Sequence, residues 1–146
     1  MGIVLPDGIL GNPNTESVRK WILEHFKLID SIDLPVETFL PQVGVQASLL
    51  FLQKKTAIEH LVDPKSEMYD VFMAIAEKVG KDRRGNVIYE KDEDGAEILF
   101  VDEKEWASYN RQGELIARHR TERVKHVDDD LPKISAAYKD FLEGEA

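Results

Sequence analysis

The side chains best able to do chemistry are scattered along this sequence rather than gathered into a motif. The histidines His25, His60, His119 and His126 lie far apart, and none pairs with Asp or Glu at metal-ligand spacing. Glu90, Asp92, Glu93 and Asp94 crowd their carboxylates together, but Asp92-x-Asp94-Gly95 lacks the remaining ligands of a calcium loop and reads as a hairpin turn. No order of Ser, His and Asp suits a nucleophilic triad. Asn12-Pro13-Asn14-Thr15 reads as a helix entry. Asp7, before Gly8, either lines a cleft at the end of a strand or simply forms a turn.

Basic residues form two local spots. Arg83 and Arg84 make one; Arg118, Arg120, Arg123 and Lys125 make the other, diluted by Glu122 and by Asp128, Asp129 and Asp130. Both can meet phosphates, and both can be ordinary solvated faces. The net charge of −9 argues against a free-standing nucleic-acid binder, because phosphate neutralisation needs Lys and Arg. A small basic face on an acidic body remains compatible with it.

These residues must be positioned by a chain of 146 residues, 42% hydrophobic and 32% charged, which is enough for a domain with a core. There is no cysteine, so no disulfide or thiolate site forms. No apolar run is long enough to span a bilayer, and the first residues do not read as a signal peptide. A cytoplasmic location is expected.

The pattern predicts an α/β chain. Ile3-Val4-Leu5 reads as a buried strand closed by a turn at Pro6-Asp7-Gly8. Asn14 or Thr15 then caps a helix that buries Val18, Trp21, Ile22 and Phe26. Residues 28–34 form the next strand, parallel to the first by a crossover. After a loop over 35–44, residues 45–52 return as a strand; the connection is too short for a helical crossover, so the pairing is antiparallel.

Further along, Ser66 is expected to cap a helix carrying Met68, Phe72, Ile75, Ala76 and Val79, ended by Gly80. Residues 87–89 and 98–101 flank the Asp92 turn as a hairpin. Asp102 and Glu105 suggest a capping box for a helix through Trp106 and Tyr109. Residues 111–126 read as a linker or an exposed helix. Asp130 caps a last helix with Pro132 in its first turn and Ile134, Tyr138, Phe141 and Leu142 on one face. No internal repeat is evident.

Several segments together resemble one family. Ile3-Val4-Leu5-Pro6-Asp7-Gly8-Ile9-Leu10, Arg19-Lys20-Trp21-Ile22-Leu23-Glu24, Leu34-Pro35-Val36-Glu37-Thr38-Phe39 and Gln46-Ala47-Ser48-Leu49-Leu50-Phe51-Leu52 are similar, in that order, to the carboxy-terminal part of DNA adenine-N6 methyltransferases. The resemblance is to the modification subunits of type I restriction–modification systems and to related N6-adenine methylases. Lys78-Val79-Gly80-Lys81-Asp82-Arg83-Arg84-Gly85-Asn86 and Asp129-Asp130-Leu131-Pro132 resemble segments downstream of that core.

The resemblance implies a Rossmann-like sheet of parallel strands with one antiparallel strand. Residues 1–62 would supply its last strands and helix, and residues 63–146 a helical and β-hairpin extension. The reaction implied is methyl transfer from S-adenosylmethionine to the amine of a flipped adenine. Its two motifs, a Gly-rich turn and an Asn/Asp-Pro-Pro-aromatic tetrapeptide, are absent from this sequence. No catalytic, cofactor-binding or metal residue is therefore assigned, and the chain alone is expected to be inactive. The buried-type strand at the very start, with nothing before it to pair with, is read as the mark of a fragment.

By the resemblance, Phe39 forms a wall against the target base. Gln42, Gln46, Arg83 and Arg84 are candidate nucleic-acid contacts. The implied partners are the amino-terminal part of the methyltransferase, DNA, a specificity subunit and, through an open sheet edge, a second copy. The rival expectation is a non-catalytic interaction module.

Overall fold

The computed structural model describes residues 1–61 and 68–144. The chain is mixed α/β and divides into two compact units, Met1–Asn86 with Asp129–Ala146, and Val87–Asp128.

The first unit is built on strands β1 (Gly2–Pro6), β2 (Phe26–Leu34), β3 (Ala47–Lys54) and β4 (Phe72–Ile75). Their order is β1-β3-β2-β4. β3 runs antiparallel to both β1 and β2, so those two are parallel to each other, and β4 lies parallel to β2. The antiparallel return expected of residues 45–52 is found. The first strand differs from expectation: among the described residues it pairs on one side only, and Gly2, Val4 and Pro6 are exposed.

A register irregularity between Leu28 and Asp30 sets the two faces of this sheet. Without it, residues two apart would point the same way. With it, Leu28 aligns with Leu52, while Asp30 aligns with Phe51 and turns to the other face. On that other face Ile32, Leu34 and Ala76 form the buried cluster, packed by Phe39, Leu49, Ala74 and Ile134. Helix α3 (Leu131–Glu143) covers it, setting Tyr138 and Phe141 against Phe72 at ring separations of 5.3 and 5.5 Å.

The Leu28 face is covered by helix α2 (Glu16–His25), whose Ile22 and Leu23 line a cavity of about 240 Å³ with Leu28, Leu50 and Leu52. The expected stripe on α2 is not buried. Val18 and Trp21 face solvent, and Trp21 instead stacks on His25 at 4.6 Å. Phe26 ends the helix and begins β2. The helix is short, and the cavity rather than a filled seam lies beneath it. Its entry also differs. Asp7–Gly11 is a one-turn helix, α1, and Asn12, not Asn14 or Thr15, receives a backbone N–H through its side chain, from Asn14 at 3.0 Å. Thr15 turns its hydroxyl back to the Gly8, Ile9 and Asn12 carbonyls.

The helix expected across Met68 to Val79 is not formed, and Phe72–Ile75 within it is strand β4. Its inward Phe72 and Ala74, with Ala76 just beyond its end, alternate with exposed Met73 and Ile75, a period of two that the apolar spacing also allows. Pairing with β2 satisfies its backbone, which decides between the periods. The Ser66 cap lies outside the described residues. The last helix, by contrast, begins where expected, with Asp130 at its N-cap and Pro132 in its first turn, although the Asp130 carboxylate accepts the Glu77 and Lys78 N–H groups and not one of the helix's own; left-handed Gly144 ends it.

The second unit corrects two further expectations. Residues expected as a helix through Trp106 and Tyr109 form strand β5 (Phe100–Tyr109), and those read as linker or helix form strand β6 (Leu115–Val124). They pair antiparallel along their whole length, from Phe100↔Val124 to Tyr109↔Leu115. Asp102 and Glu105 therefore cap nothing. Aromatic and β-branched residues along both strands favour the sheet once a partner strand is present. The hairpin about Asp92 is found only in part. Lys91 bridges Glu97, but Phe100 and Val101 pair with β6 instead of with residues 87–89.

One five-residue turn recurs where no repeat was evident in the sequence. In Asp82-Arg83-Arg84-Gly85-Asn86, Asp82 Oδ1 accepts the N–H of Arg84 and of Asn86 at 2.8 and 2.9 Å. In Asp92-Glu93-Asp94-Gly95-Ala96, Asp92 Oδ1 accepts from Asp94 and Ala96 at 3.1 and 2.8 Å. In Asn110-Arg111-Gln112-Gly113-Glu114, Asn110 Oδ1 accepts from Gln112 and Glu114, both at 2.9 Å. Each turn closes by a bond from the first residue's N–H to the fifth residue's carbonyl and holds its glycine at positive φ. An Asx side chain substitutes for backbone acceptors, and only Gly takes the left-handed position without strain.

Candidate nucleic-acid interface

The loop between β2 and β3 carries Phe39. A 3-10 turn at Val36–Thr38 lifts the chain off the end of β2, and the Phe39 N–H closes it on the Val36 carbonyl at 3.3 Å. The Phe39 ring is half-buried against the Ile32, Leu34 and Ala76 cluster. The same loop continues through exposed Gln42 and Gln46.

The turn bearing Arg83 and Arg84 docks on this loop. Arg83 Nε donates to Glu37 Oε1 at 3.0 Å, and Lys81 Nζ donates to the Leu40 carbonyl at 3.3 Å. Gly85 sits against Pro41 so closely that a Cβ there would lie 3.1 Å from Pro41 Cδ. The structure thus gathers Phe39, Arg83 and Arg84 into adjoining loops, with both arginines exposed at the turn's tip. Arg83 already spends part of its charge on Glu37. The Arg83 hydrogen bond is in turn the main reason the Glu37 carboxyl lies below the usual carboxylate range.

Beside these loops lies a polar group that sequence reasoning did not assemble. Asp7 follows the carboxyl end of β1, Asp33 is near the carboxyl end of β2, and Ser48 begins β3 between them. The buried Ser48 Oγ is 3.5 Å from both Asp7 Oδ1 and Asp33 Oδ1. Gln46 Nε2 reaches Asp33 Oδ2 at 3.4 Å, and the Gln46 carbonyl accepts the Asp7 N–H at 3.1 Å. Carboxyl ends of parallel strands are where open α/β sheets present their ligand crevices. The strand order that brings these residues together has no local signature; the sequence singles out Asp7 and Gln46 but neither Asp33 nor Ser48.

The residues after β1 do not fit an S-adenosylmethionine loop. Such a loop opens on a tight glycine turn, whereas Gly8 and Gly11 lie in the one-turn helix α1 and neither takes a positive φ. No chemical step is derived through the cofactor. Among the described residues no group of three or more His, Cys, Asp or Glu is placed to hold a metal, and no helix is long and apolar enough to cross a membrane.

The second basic spot is taken apart by the β5–β6 hairpin. Lys125 pairs with Glu97 at 2.5 Å, and Arg123 points to the opposite face of the ribbon from Arg118 and Arg120. The sequence matches no family model and no curated protein.

Proposed function

We propose that the chain is the carboxy-terminal part of a DNA adenine-N6 methyltransferase domain of the type I restriction–modification kind. The observation that carries the reading is the seating of antiparallel β3 between the mutually parallel β1 and β2. A mostly parallel Rossmann-like sheet with one antiparallel strand is what the family resemblance implies. Phe39 then stands beyond the end of β2, where a wall for a flipped adenine is needed. Stacking on such a wall contributes roughly 1–3 kcal/mol per base.

In this reading S-adenosylmethionine and the catalytic tetrapeptide are supplied by other sequence. The chain completes the sheet, and Gln42, Gln46, Arg83 and Arg84 face the nucleic acid. The specificity subunit selects the DNA target, and the assembly works in the cytoplasm. The test has two arms. The purified chain, given S-adenosylmethionine and adenine-containing DNA, should transfer no methyl group; robust transfer would overturn the reading. In the complete enzyme, Phe39→Leu should keep the fold while slowing methylation and reducing base-flipping fluorescence, and unchanged values would remove the base-wall role.

A second reading, a non-catalytic interaction module, draws on β1. Among the described residues its outer edge carries no strand, and Val4 and Phe51 are exposed on one face beside it. An open edge of this kind invites pairing. Light scattering after size exclusion distinguishes a self-paired chain from a monomer.

A further inference from the structure

Alternation along the β5–β6 ribbon sorts its charges by face. On one face, successive cross-strand pairs are Asp102↔Glu122, Lys104↔Arg120, Trp106↔Arg118 and Ser108↔Ile116. From Lys104 outward this face holds three cations and an indole, and no carboxylate. The other face carries Glu103, Glu105 and a single arginine, Arg123, with His119 contacting Glu105 at 3.0 Å.

The pairing of Lys104 with Arg120 is the informative detail. Like charges directly opposite each other weaken a sheet, so this arrangement works against the hairpin's own stability. Glu122 offsets it in part, bonded to Lys104 and 3.9 Å from Arg120. Arg118 meets the Ser108 hydroxyl at 2.7 Å rather than an acid. Between these cations Trp106 is 44% exposed. Local arrangements that cost stability are expected where a surface serves a partner.

We propose that this face of the hairpin, Lys104, Trp106, Arg118 and Arg120, binds single-stranded nucleic acid, the cations taking backbone phosphates and Trp106 stacking on an unpaired base. Cations around an exposed aromatic are the two components of a sequence-tolerant single-strand site. A paired duplex offers phosphates but no free base face for the indole, which is why a single strand is favoured. The opposite face, where Glu103 and Glu105 outnumber the single Arg123, offers such a strand no comparable group of cations. The proposal rests on the hairpin alone and does not need the methyltransferase reading.

The test uses the whole chain carrying Trp21→Phe, which leaves Trp106 as the one tryptophan. Fluorescently labelled oligothymidylate should bind at low salt with quenching of Trp106. With three phosphate contacts on a single strand, affinity should fall about 20-fold between roughly 50 and 200 mM salt. The triple variant Lys104→Gln, Arg118→Gln, Arg120→Gln should weaken binding at least about tenfold and flatten that salt dependence. Trp106→Phe should keep most of the affinity, whereas Trp106→Ala should lose it. Glu105→Gln, on the other face, should leave binding unchanged or strengthen it. Circular dichroism identifies any variant that fails to fold, and the single substitution Arg118→Gln, which should weaken binding and lower the salt dependence by one phosphate contact, then carries the comparison. Absence of binding up to about 100 µM strand at low salt, where non-specific contacts already register, would overturn the proposal. So would binding indifferent to these substitutions, or tighter binding of duplex without quenching.

Discussion

Arg83 donates to Glu37 at 3.0 Å across the join between the turn at residues 82–86 and the loop carrying Phe39. This hydrogen bond is the chief cause of the lowered Glu37 pKa. A carboxylate with a depressed folded pKa contributes stability that is present above its unfolded value and is lost as pH falls through the folded one. Arg83→Gln should therefore return the Glu37 titration, followed by carboxyl NMR shifts, toward the ordinary glutamate range. An unchanged midpoint would show that the pair does not persist in solution.

Glu59 provides a stronger case. Lys27 Nζ lies 2.8 Å from its carboxylate, and the Thr56 N–H and hydroxyl donate to it at 2.7 and 2.8 Å. With the Lys27 hydrogen bond as the largest cause, these hold its pKa at about 2. The stability it contributes should be complete above the unfolded glutamate value and disappear as pH falls through about 2. Lys27→Met should raise the Glu59 midpoint more than Thr56→Ser does, as read by the same titration.

Asp30 works in the opposite direction. It is 5% exposed, its Oδ1 has no partner among the described residues, and burial raises its pKa against a backbone hydrogen bond from Phe51. Here the folded state holds its proton more tightly than the unfolded state. Stability is therefore full below the unfolded aspartate value and falls as pH rises through the raised one. Asp30→Asn should stabilise the protein at neutral pH by about 1 kcal/mol, or about 2–4 °C in Tm. The gain should vanish in acid. A gain that is independent of pH would point to packing instead of charge.

Gly85 and Gly95 occupy the same place in two copies of one turn, at φ of 87° and 85°. Alanine strains both backbones, by about 1–2 kcal/mol. Only at Gly85 does the added Cβ also press on Pro41, whereas at Gly95 it meets open space. Gly85→Ala should therefore cost more in denaturant unfolding than Gly95→Ala. Equal losses would mean that the Pro41 contact is not maintained.

Legibility in the sequence followed how local the decisive physics was. The last helix could be read because Asp130, Pro132 and the apolar positions are all signals within one segment. The antiparallel return of β3 could be read from loop length alone. Met68 to Val79 could not, because its apolar spacing fits either period and only pairing with β2 chose the strand. The β5–β6 ribbon was missed for the same reason. Asp102 and Glu105 imitate a helix cap, and what overrides it is pairing with a strand more than ten residues away. The three Asx-x-x-Gly turns were legible in principle, since residue type alone sets each one.

By itself the sequence determined the chain's α/β character, its acidic balance, the turns at Asp82 and Asp92 and the candidate loop containing Phe39. Those depend on composition and on short-range geometry. The tertiary structure decided which strands became neighbours, and so placed Ser48 between Asp7 and Asp33 and docked Arg83 on Glu37. It also turned Lys104, Trp106, Arg118 and Arg120 onto one face of a ribbon. Pairing register sets such relationships, and register is fixed by burial and backbone hydrogen bonding between segments remote in the chain.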